Sequence, residues 1–262
     1  MYSADLTREF LNIAYSWMNL APINTVEHYR RAAYLGYNAL KGDVQPTKDN
    51  GLVMCHDKGF TLNSEGRIVR YDRQEHILIR DMTQDEVLRL THEAYADTVG
   101  YHAHTCTFDD FVRVCREEDR ICYPVIRDER MDVVLPELFK TLDRYGYREK
   151  TMINSMTYSS AQAARAYDPD IALCYTLNHG EVMTREHVDM VLELGNAMLD
   201  GFLCPGDNWR GLLEESRDAI EYAKEKGVPL MMAQVFTAEQ YTTCREWGFT
   251  GFHIVLPILD KV

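Results

Sequence analysis

One stretch of the chain gathers most of the side chains that can do chemistry. Residues 36–57 read Gly36-Tyr-Asn-Ala-Leu-Lys41-Gly-Asp43-Val-Gln-Pro-Thr47-Lys48-Asp49-Asn50-Gly51-Leu-Val-Met-Cys-His56-Asp57. It holds two ammonium groups, Lys41 and Lys48, three carboxylates, Asp43, Asp49 and Asp57, and the imidazole of His56. An imidazole such as His56, with Asp57 next to it, suits general acid or base work. Activating an attacking oxygen and protonating a leaving group are separate tasks, so one histidine answers for only one of them. Lys41 and Asp43 point away from metal binding. Mg2+ or Ca2+ needs several oxygen ligands, and an ammonium within a few Å of the ion repels it by several kcal/mol at an effective dielectric of about 20.

A second cluster is Tyr101-His102-Ala-His104-Thr-Cys106. If extended, it puts His102, His104 and Cys106 on one face, three ligands for a Zn2+ that would need a fourth from elsewhere. A solvated loop is the commoner meaning of such a pair. Asn154, Thr157, Tyr175, Asn178, Gln234 and Phe236 stand at or near the ends of apolar runs and could line a pocket. His253 reads as a satisfied core or rim histidine. The seven cysteines are scattered without any C-x-x-C, which fits small buried hydrophobes in a reducing compartment and not a disulfide framework.

The elements that must position these groups alternate strand with helix. Expected strands are Leu11–Trp17, Tyr37–Val44, Ile121–Asp128, Thr151–Thr157, Ile171–Leu177, Gly201–Cys204, Pro229–Phe236 and Gly251–Pro257. They are short, continuous apolar runs, the pattern of parallel strands covered on both faces. Helices between them begin with recognisable caps, Thr107-Phe-Asp-Asp110 and Thr237-Ala-Glu-Gln240, in which a hydroxyl and a residue three later satisfy orphan amides. A helix over Trp209–Lys226 should stop at Gly227, with Pro229 beyond. Strict alternation over eight strands predicts a closed (β/α)8 barrel, with a doubly wound open sheet as the alternative. The long connection from Gln45 to Arg120 breaks the rhythm. It contains a strand-like run at Leu52–Asp57, a hairpin over Phe60–Arg70 turning at Asn63–Gly66, and a helix capped by Thr83-Gln-Asp-Glu86. A structured insertion there, at about residues 45–106, belongs on the C-terminal rim, where such barrels keep their chemistry.

The segment from Lys41 to Asp57 resembles the glycerophosphodiester phosphodiesterase family. Its members carry a Glu-x-Asp pair on the second barrel strand, a Thr-Lys-Asp-Gly turn and a His-Asp pair 13 residues after the strand Asp. Asp43 to His56 has that spacing, and Thr47-Lys48-Asp49-Asn50-Gly51 is the turn with one residue added. Ala21-Pro22-Ile23-Asn24-Thr25 is similar to the family's Pro-Glu-Asn-Thr helix start, and Gly248-Phe-Thr-Gly251…Pro257 extends the likeness to the end. The resemblance implies a (β/α)8 barrel and a phosphoric diester hydrolase of lipid or glycerol metabolism. It also implies a Mg2+ or Ca2+ ion held by Glu-x-Asp and a third-strand Glu, two catalytic histidines, and an Arg and a Lys on the phosphate. The chain departs from that pattern. The first-strand His-Arg reads Tyr15-Ser16, and the Glu of Glu-x-Asp is Lys41. The third-strand Glu-x-Lys is matched by Val125 and Arg127, and a terminal Thr-Asp by Ile254-Val255. Asp43 is then the only family ligand kept, and no cofactor is expected.

Two readings of Lys41 follow. In one it pairs with Asp43 and plugs a barrel mouth that has lost its ion. In the other Lys41 and Arg127 replace the ion as anchors for a phosphate or carboxylate, a fork beside a point charge. The expected site is therefore His56 as acid or base, with Lys41, Asp43, Asp57, Arg127, Tyr15 and Gln234 around a phosphate or polyol ligand. The expected function is a diesterase-like protein with an eroded metal site and metal-dependent hydrolysis weak or absent. The alternative is a non-catalytic barrel recognising a polyhydroxy or glycan ligand. A different hydrolase using Zn2+ near His102 and His104 is a third reading.

Composition sets the limits. The 262 residues are 46% hydrophobic and 26% charged, ordinary for a globular protein, and their number suits one barrel domain over 1–262. Twenty-eight basic against 41 acidic residues give a net charge of −13, which repels nucleic acid and anionic lipid, so neither is expected as a partner. No run approaches the roughly 18 apolar residues of a membrane span, and no basic region leads into an apolar core at Met1–Asp5. The charge and the scattered thiols fit an expected cytoplasmic location. The oligomeric state stays open.

Overall fold

Eight short apolar segments form parallel strands that close on themselves. The structure, a computed structural model, describes residues 6–14, 21–64, 66–71, 77–91, 104–202 and 208–254. The barrel strands are β1 (Leu11–Ala14), β2 (Ala39–Pro46), β7 (Ile121–Ile126), β8 (Met152–Ser155), β9 (Ala172–Thr176), β10 (Ala197–Phe202), β11 (Leu230–Val235) and β12 (Gly251–Ile254). They pair in the order β1-β12-β11-β10-β9-β8-β7-β2, and β2 returns to β1 through Ile13 and Ala39. This is a (β/α)8 barrel. The open sheet is excluded by that last pairing.

Alternation along each strand divides two cores. Leu11, Ile13, Ala39, Ile121, Tyr123, Val125, Met152, Ala172, Cys174, Met198 and Met231 fill the barrel. Leu40, Val44, Cys122, Ile153, Leu173, Leu199, Leu230, Met232 and Phe252 face outward into the helix layer. That layer is α1 (Val26–Tyr34), α3 (Phe108–Glu117), α4 (Met131–Tyr145), α5 (Tyr158–Tyr167), α6 (Arg185–Leu194), α7 (Trp209–Glu215), α8 (Arg217–Lys226) and α9 (Ala238–Glu246). α2 (Gln84–Leu88) belongs to the long connection. The three predicted capping boxes, at Thr83, Thr107 and Thr237, all form, and Thr184 with His187 makes another.

Two sequence expectations need correction. The sixth barrel strand begins at Ala197, not at Gly201, because Asp200 is held inside the barrel instead of ending a loop. The helix expected over Trp209–Lys226 is broken at Ser216, which is buried and whose Oγ accepts the Met183 amide. It does stop at Gly227, in the left-handed conformation.

The long connection builds a separate small sheet. β3 (Leu52–Met54) runs antiparallel to the last residues of β2, Val44–Pro46. β4 (Gly59–Leu62), β5 (Ile68–Tyr71) and β6 (Ile77–Leu78) form a three-stranded antiparallel sheet. The predicted turn at Asn63–Gly66 is closed by the Gly66 amide on the Asn63 carbonyl at 3.0 Å. Val53, Cys55, Phe60, Ile68, Ile79 and Val87 make a small core of their own beneath it.

Candidate functional site

The inward row of β2 runs Ala39, Lys41, Asp43, and it turns polar as it nears the C-terminal end of the barrel. Asp43 is fully buried, and Lys41 is 7% exposed. Lys41 Nζ lies 3.1 and 3.2 Å from the two Asp43 carboxylate oxygens. Arg127, just past β7, puts both Nε and an Nη2 at 2.8 Å from Asp43 Oδ1. Asn24 Nδ2 adds a donor to Oδ2 at 3.3 Å. Burial alone would raise the Asp43 pKa. Lys41 and then Arg127 reverse this and hold the carboxyl below its ordinary value. Burial lowers the Lys41 pKa, with Asp43 opposing it and Arg127 adding to it.

The arrangement depends on backbone register. Asp43 pairs with Val125 and Lys41 with Tyr123 between β2 and β7, so Arg127 is the next inward position above Asp43 on the neighbouring strand. Asn24 is positioned by the turn into α1. It adopts φ +60°, a conformation Asn tolerates better than most residues. Its Oδ1 accepts the Asp43 amide and the Tyr29 hydroxyl, both at 3.0 Å, and its carbonyl accepts the Cys106 thiol at 3.3 Å. Thr25 then caps α1 by accepting the His28 amide.

His56 and Asp57 lie close by. Cys55 donates its amide to the Asp43 carbonyl, and His56 Nδ1 is 2.8 Å from Asp57 Oδ1. The imidazole also adds to the positive field on Asp43. Arg127 is one-fifth exposed, and among the described residues its other N–H groups have no partner. An oxyanion arriving from the rim can meet that edge of the guanidinium in the bidentate manner Arg favours.

Below this ion cluster lies a buried polar layer. Asn154 Nδ2 donates to Tyr123 Oη at 2.6 Å and to Thr176 Oγ1 at 2.5 Å. Thr176 Oγ1 donates to Asp200 Oδ2 at 2.9 Å. Burial raises the Asp200 pKa to about 7, with the Thr176 hydroxyl, the Ala233 amide and Lys41 opposing it. His253 packs edge-on to Tyr123 at 5.3 Å, and its Nε2 has no hydrogen-bond partner among the described residues. Burial, then Lys41, lowers the His253 pKa to about 3.

Of the residues expected at the site, Lys41, Asp43, Arg127, His56 and Asp57 come together. Tyr15 lies outside the described residues, as do Ser16, His102 and Val255. Gln234 is three strands from β2, on β11, at φ +60° beside a register shift, and it shares a 2.9 Å hydrogen bond with His179. Thr157 caps α5, and Tyr175 packs against Tyr158. The proposed zinc cluster loses its thiol. Cys106 is buried, burial pushes its pKa well up, and it donates to Asn24, whereas His104 is exposed. Among the described residues no three of His, Cys, Asp and Glu group closely enough to hold a metal ion. The six described cysteines are buried free thiols.

Sequence reasoning missed Asp200. Its signal is a single acidic residue inside the apolar run Ala197-Met-Leu-Asp-Gly-Phe202.

Comparison with known proteins agrees with this architecture. A glycerophosphodiester phosphodiesterase from Caldanaerobacter subterraneus subsp. tengcongensis is 26% identical over 164 residues, which span 58% of this chain and 60% of that relative. The crystal structure of an Oleispira antarctica phosphodiesterase, solved with the product sn-glycerol-3-phosphate, matches at a TM-score of 0.76 and 16% identity, covering 96% of each chain. A glycerophosphodiester phosphodiesterase from Parabacteroides distasonis matches at 0.72 and 18% identity, covering 94% of this chain and 93% of that one. At these identities the structures speak for the fold alone. The sequence itself fits the model of the glycerophosphoryl diester phosphodiesterase family from residue 18 to residue 253, a span running from ahead of α1 into β12. That match covers most of the chain, and the chain belongs to that family.

Proposed function

We propose that this chain binds a phosphorylated or acidic polyol at the barrel mouth, with Arg127 as the main anchor and Lys41 as supporting charge, and that metal-dependent diester hydrolysis is weak or absent. One observation carries the reading: the Asp43 carboxylate is occupied by two cations and an amide. A carboxylate has about four lone-pair sites, and these donors take them. The family's Mg2+ or Ca2+ does not fit here. It would have to approach one carboxylate flanked by an ammonium and a guanidinium, with apolar Val125 across from it in register. His56, held at Nδ1 by Asp57, is the imidazole placed for proton transfer if any turnover remains.

The ligand class is supported by the Oleispira antarctica relative, whose structure holds sn-glycerol-3-phosphate. In a chain of net charge −13, a paired Arg and Lys at the mouth are the local positive field a phosphate needs. The closure of Asp43 also supports a second reading, a scaffold that recognises a polyhydroxy or glycan ligand without turning it over. We read residues 1–262 as one barrel domain in a reducing, cytoplasmic setting, with about 45–106 as an insertion on the C-terminal rim.

The test is a diester-hydrolysis assay with and without Mg2+, Ca2+ or Mn2+, beside calorimetric titration with glycerol 3-phosphate. The parent should show no metal-stimulated turnover yet bind glycerol 3-phosphate, and Arg127→Ala should weaken that binding at least tenfold. Lys41→Glu combined with Val125→Glu should gain divalent-cation affinity. Clear Mg2+-dependent activity in the parent, or binding indifferent to Arg127→Ala, overturns the proposal.

A further inference from the structure

A second polar cleft lies where the inserted segment meets the barrel rim. Gln45, Lys58, Leu78, Arg80, Asp128, Glu129 and Arg130 line it. Its volume is about 140 Å3, below that of a drug-sized site and room for one small anionic group. Its walls come from β2, from the residues before β4, from β6 and just after it, and from the loop that follows β7.

Two features mark it as built to receive something. Gln45 is 2% exposed, and its side-chain Nε2 has no hydrogen-bond partner among the described residues. A buried amide donor left without an acceptor carries a desolvation cost that a ligand oxygen there would recover. The charges are also unevenly matched. Arg130 is fixed by Asp128 through Nε at 2.8 Å and Nη2 at 3.2 Å, and by the Pro46 carbonyl at 3.0 Å. That pair is neutral overall. Lys58 and Arg80 are exposed, and neither has an ion-pair partner among the described residues, while Glu129 supplies the remaining negative charge. Asp81 and Asp132 add negative field at Arg130 from outside the lining. The lining still keeps one net positive charge on a strongly acidic protein.

We propose that this cleft is a binding site for an oxyanion group, a phosphate or a carboxylate, gripped by Lys58 and Arg80 and oriented by the Gln45 amide. Glu129 accepts a hydroxyl or amine hydrogen of the same ligand. The lining of this cleft includes neither Arg127 nor Asp43, although the β2–β7 register sets Gln45 beside Arg127.

The side-chain amide resonance of Gln45, assigned through Gln45→Leu, reports on this cleft, and Arg127→Ala separates it from the neighbouring barrel mouth. With the full chain, inorganic phosphate and acetate are titrated at constant ionic strength. The Gln45 signal should shift and saturate with phosphate. Lys58→Ala with Arg80→Ala, both on exposed positions, should weaken the response tenfold or more, and Arg127→Ala should leave it unchanged. A shift with acetate as well indicates a general oxyanion site, whereas a shift with phosphate alone narrows the class to phosphate; either supports the proposal. A Gln45 signal that stays still, or that titrates identically in the Lys58/Arg80 variant, overturns it. A response lost in Arg127→Ala also overturns it, because the anion would then belong to the barrel-mouth site.

Discussion

Asp43 is the residue on which the barrel mouth turns, and its surroundings predict an asymmetry. Lys41 and Arg127 share one carboxylate, so removing the acid strands two buried or half-buried cations, while removing Lys41 leaves Asp43 still paired with Arg127 and Asn24. Breaking a buried pair from one side costs about 3–5 kcal/mol. Asp43→Ala is therefore expected to lose an amount in that range in urea denaturation, and Lys41→Met clearly less. Lys41→Met with Asp43→Leu should recover part of the loss, since apolar replacements of buried ion pairs are often neutral or better. Equal losses from the two single variants would mean that Arg127 does not hold Asp43 in solution. The role of Asp43 was legible in the sequence because its spacing to His56 is a local signal. The role of Asn24 was not, although the turn containing it was, since its two contacts with Asp43 cross 19 residues and depend on how α1 docks.

At the scale of elements, Gly42 joins the site to the helix layer. It lies between Lys41 and Asp43 on the outward face of β2. A Cβ there would stand 2.4 Å from Met54 Cε, 2.9 Å from the Tyr29 hydroxyl and 3.2 Å from Phe111 Cε2. Met54 can swing aside, but Tyr29 is hydrogen-bonded to Asn24. Gly42→Ala should cost about 1–3 kcal/mol through overpacking. It should also disturb Asn24, visible as a shift of its side-chain amide resonance, and an unmoved resonance would refute the link. Thr107 is a simpler case. Its hydroxyl accepts the Asp110 amide at 3.0 Å, so Thr107→Ala should lower stability by about 1 kcal/mol and leave ligand binding alone. Such caps were read from the sequence because the donor and acceptor are three residues apart. The strand carrying Asp200 was placed too late for the opposite reason. An acid in an apolar run reads locally as the end of a loop, and only closure of the barrel shows that it points inward to Thr176. Ser216 ended a helix for a similarly remote cause, the Met183 amide 33 residues away.

The whole molecule sums these buried groups into a pH response whose sign can be worked out. His28 and His253 are buried, and their folded pKa values fall to about 4 and about 3 from 6.5, with burial the first cause in each. The unfolded chain takes up protons at these histidines as pH falls below 6.5 and the folded chain does not, so stability is lost from there down to about pH 4. Asp200 works the other way. Its folded pKa of about 7 exceeds the ordinary 3.8, so the folded state is the better proton acceptor between those values and gains stability as pH falls from 7 to 4. Two histidines against one carboxyl leave a net loss on acidification. Asp200→Asn removes the opposing contribution and should steepen the fall between pH 7.5 and pH 4.5 by about 3.5 kcal/mol, taking ~1.4 kcal/mol per pH unit over the part of that span below pH 7. His253→Phe should flatten it, since one of the two proton sinks of the unfolded chain is gone. Urea midpoints of the parent and both variants at the two pH values decide the matter. Should Asp200→Asn leave the slope unchanged, Asp200 titrates as an ordinary carboxylate, and Lys41 divides its charge between Asp43 and Asp200 instead of belonging to Asp43.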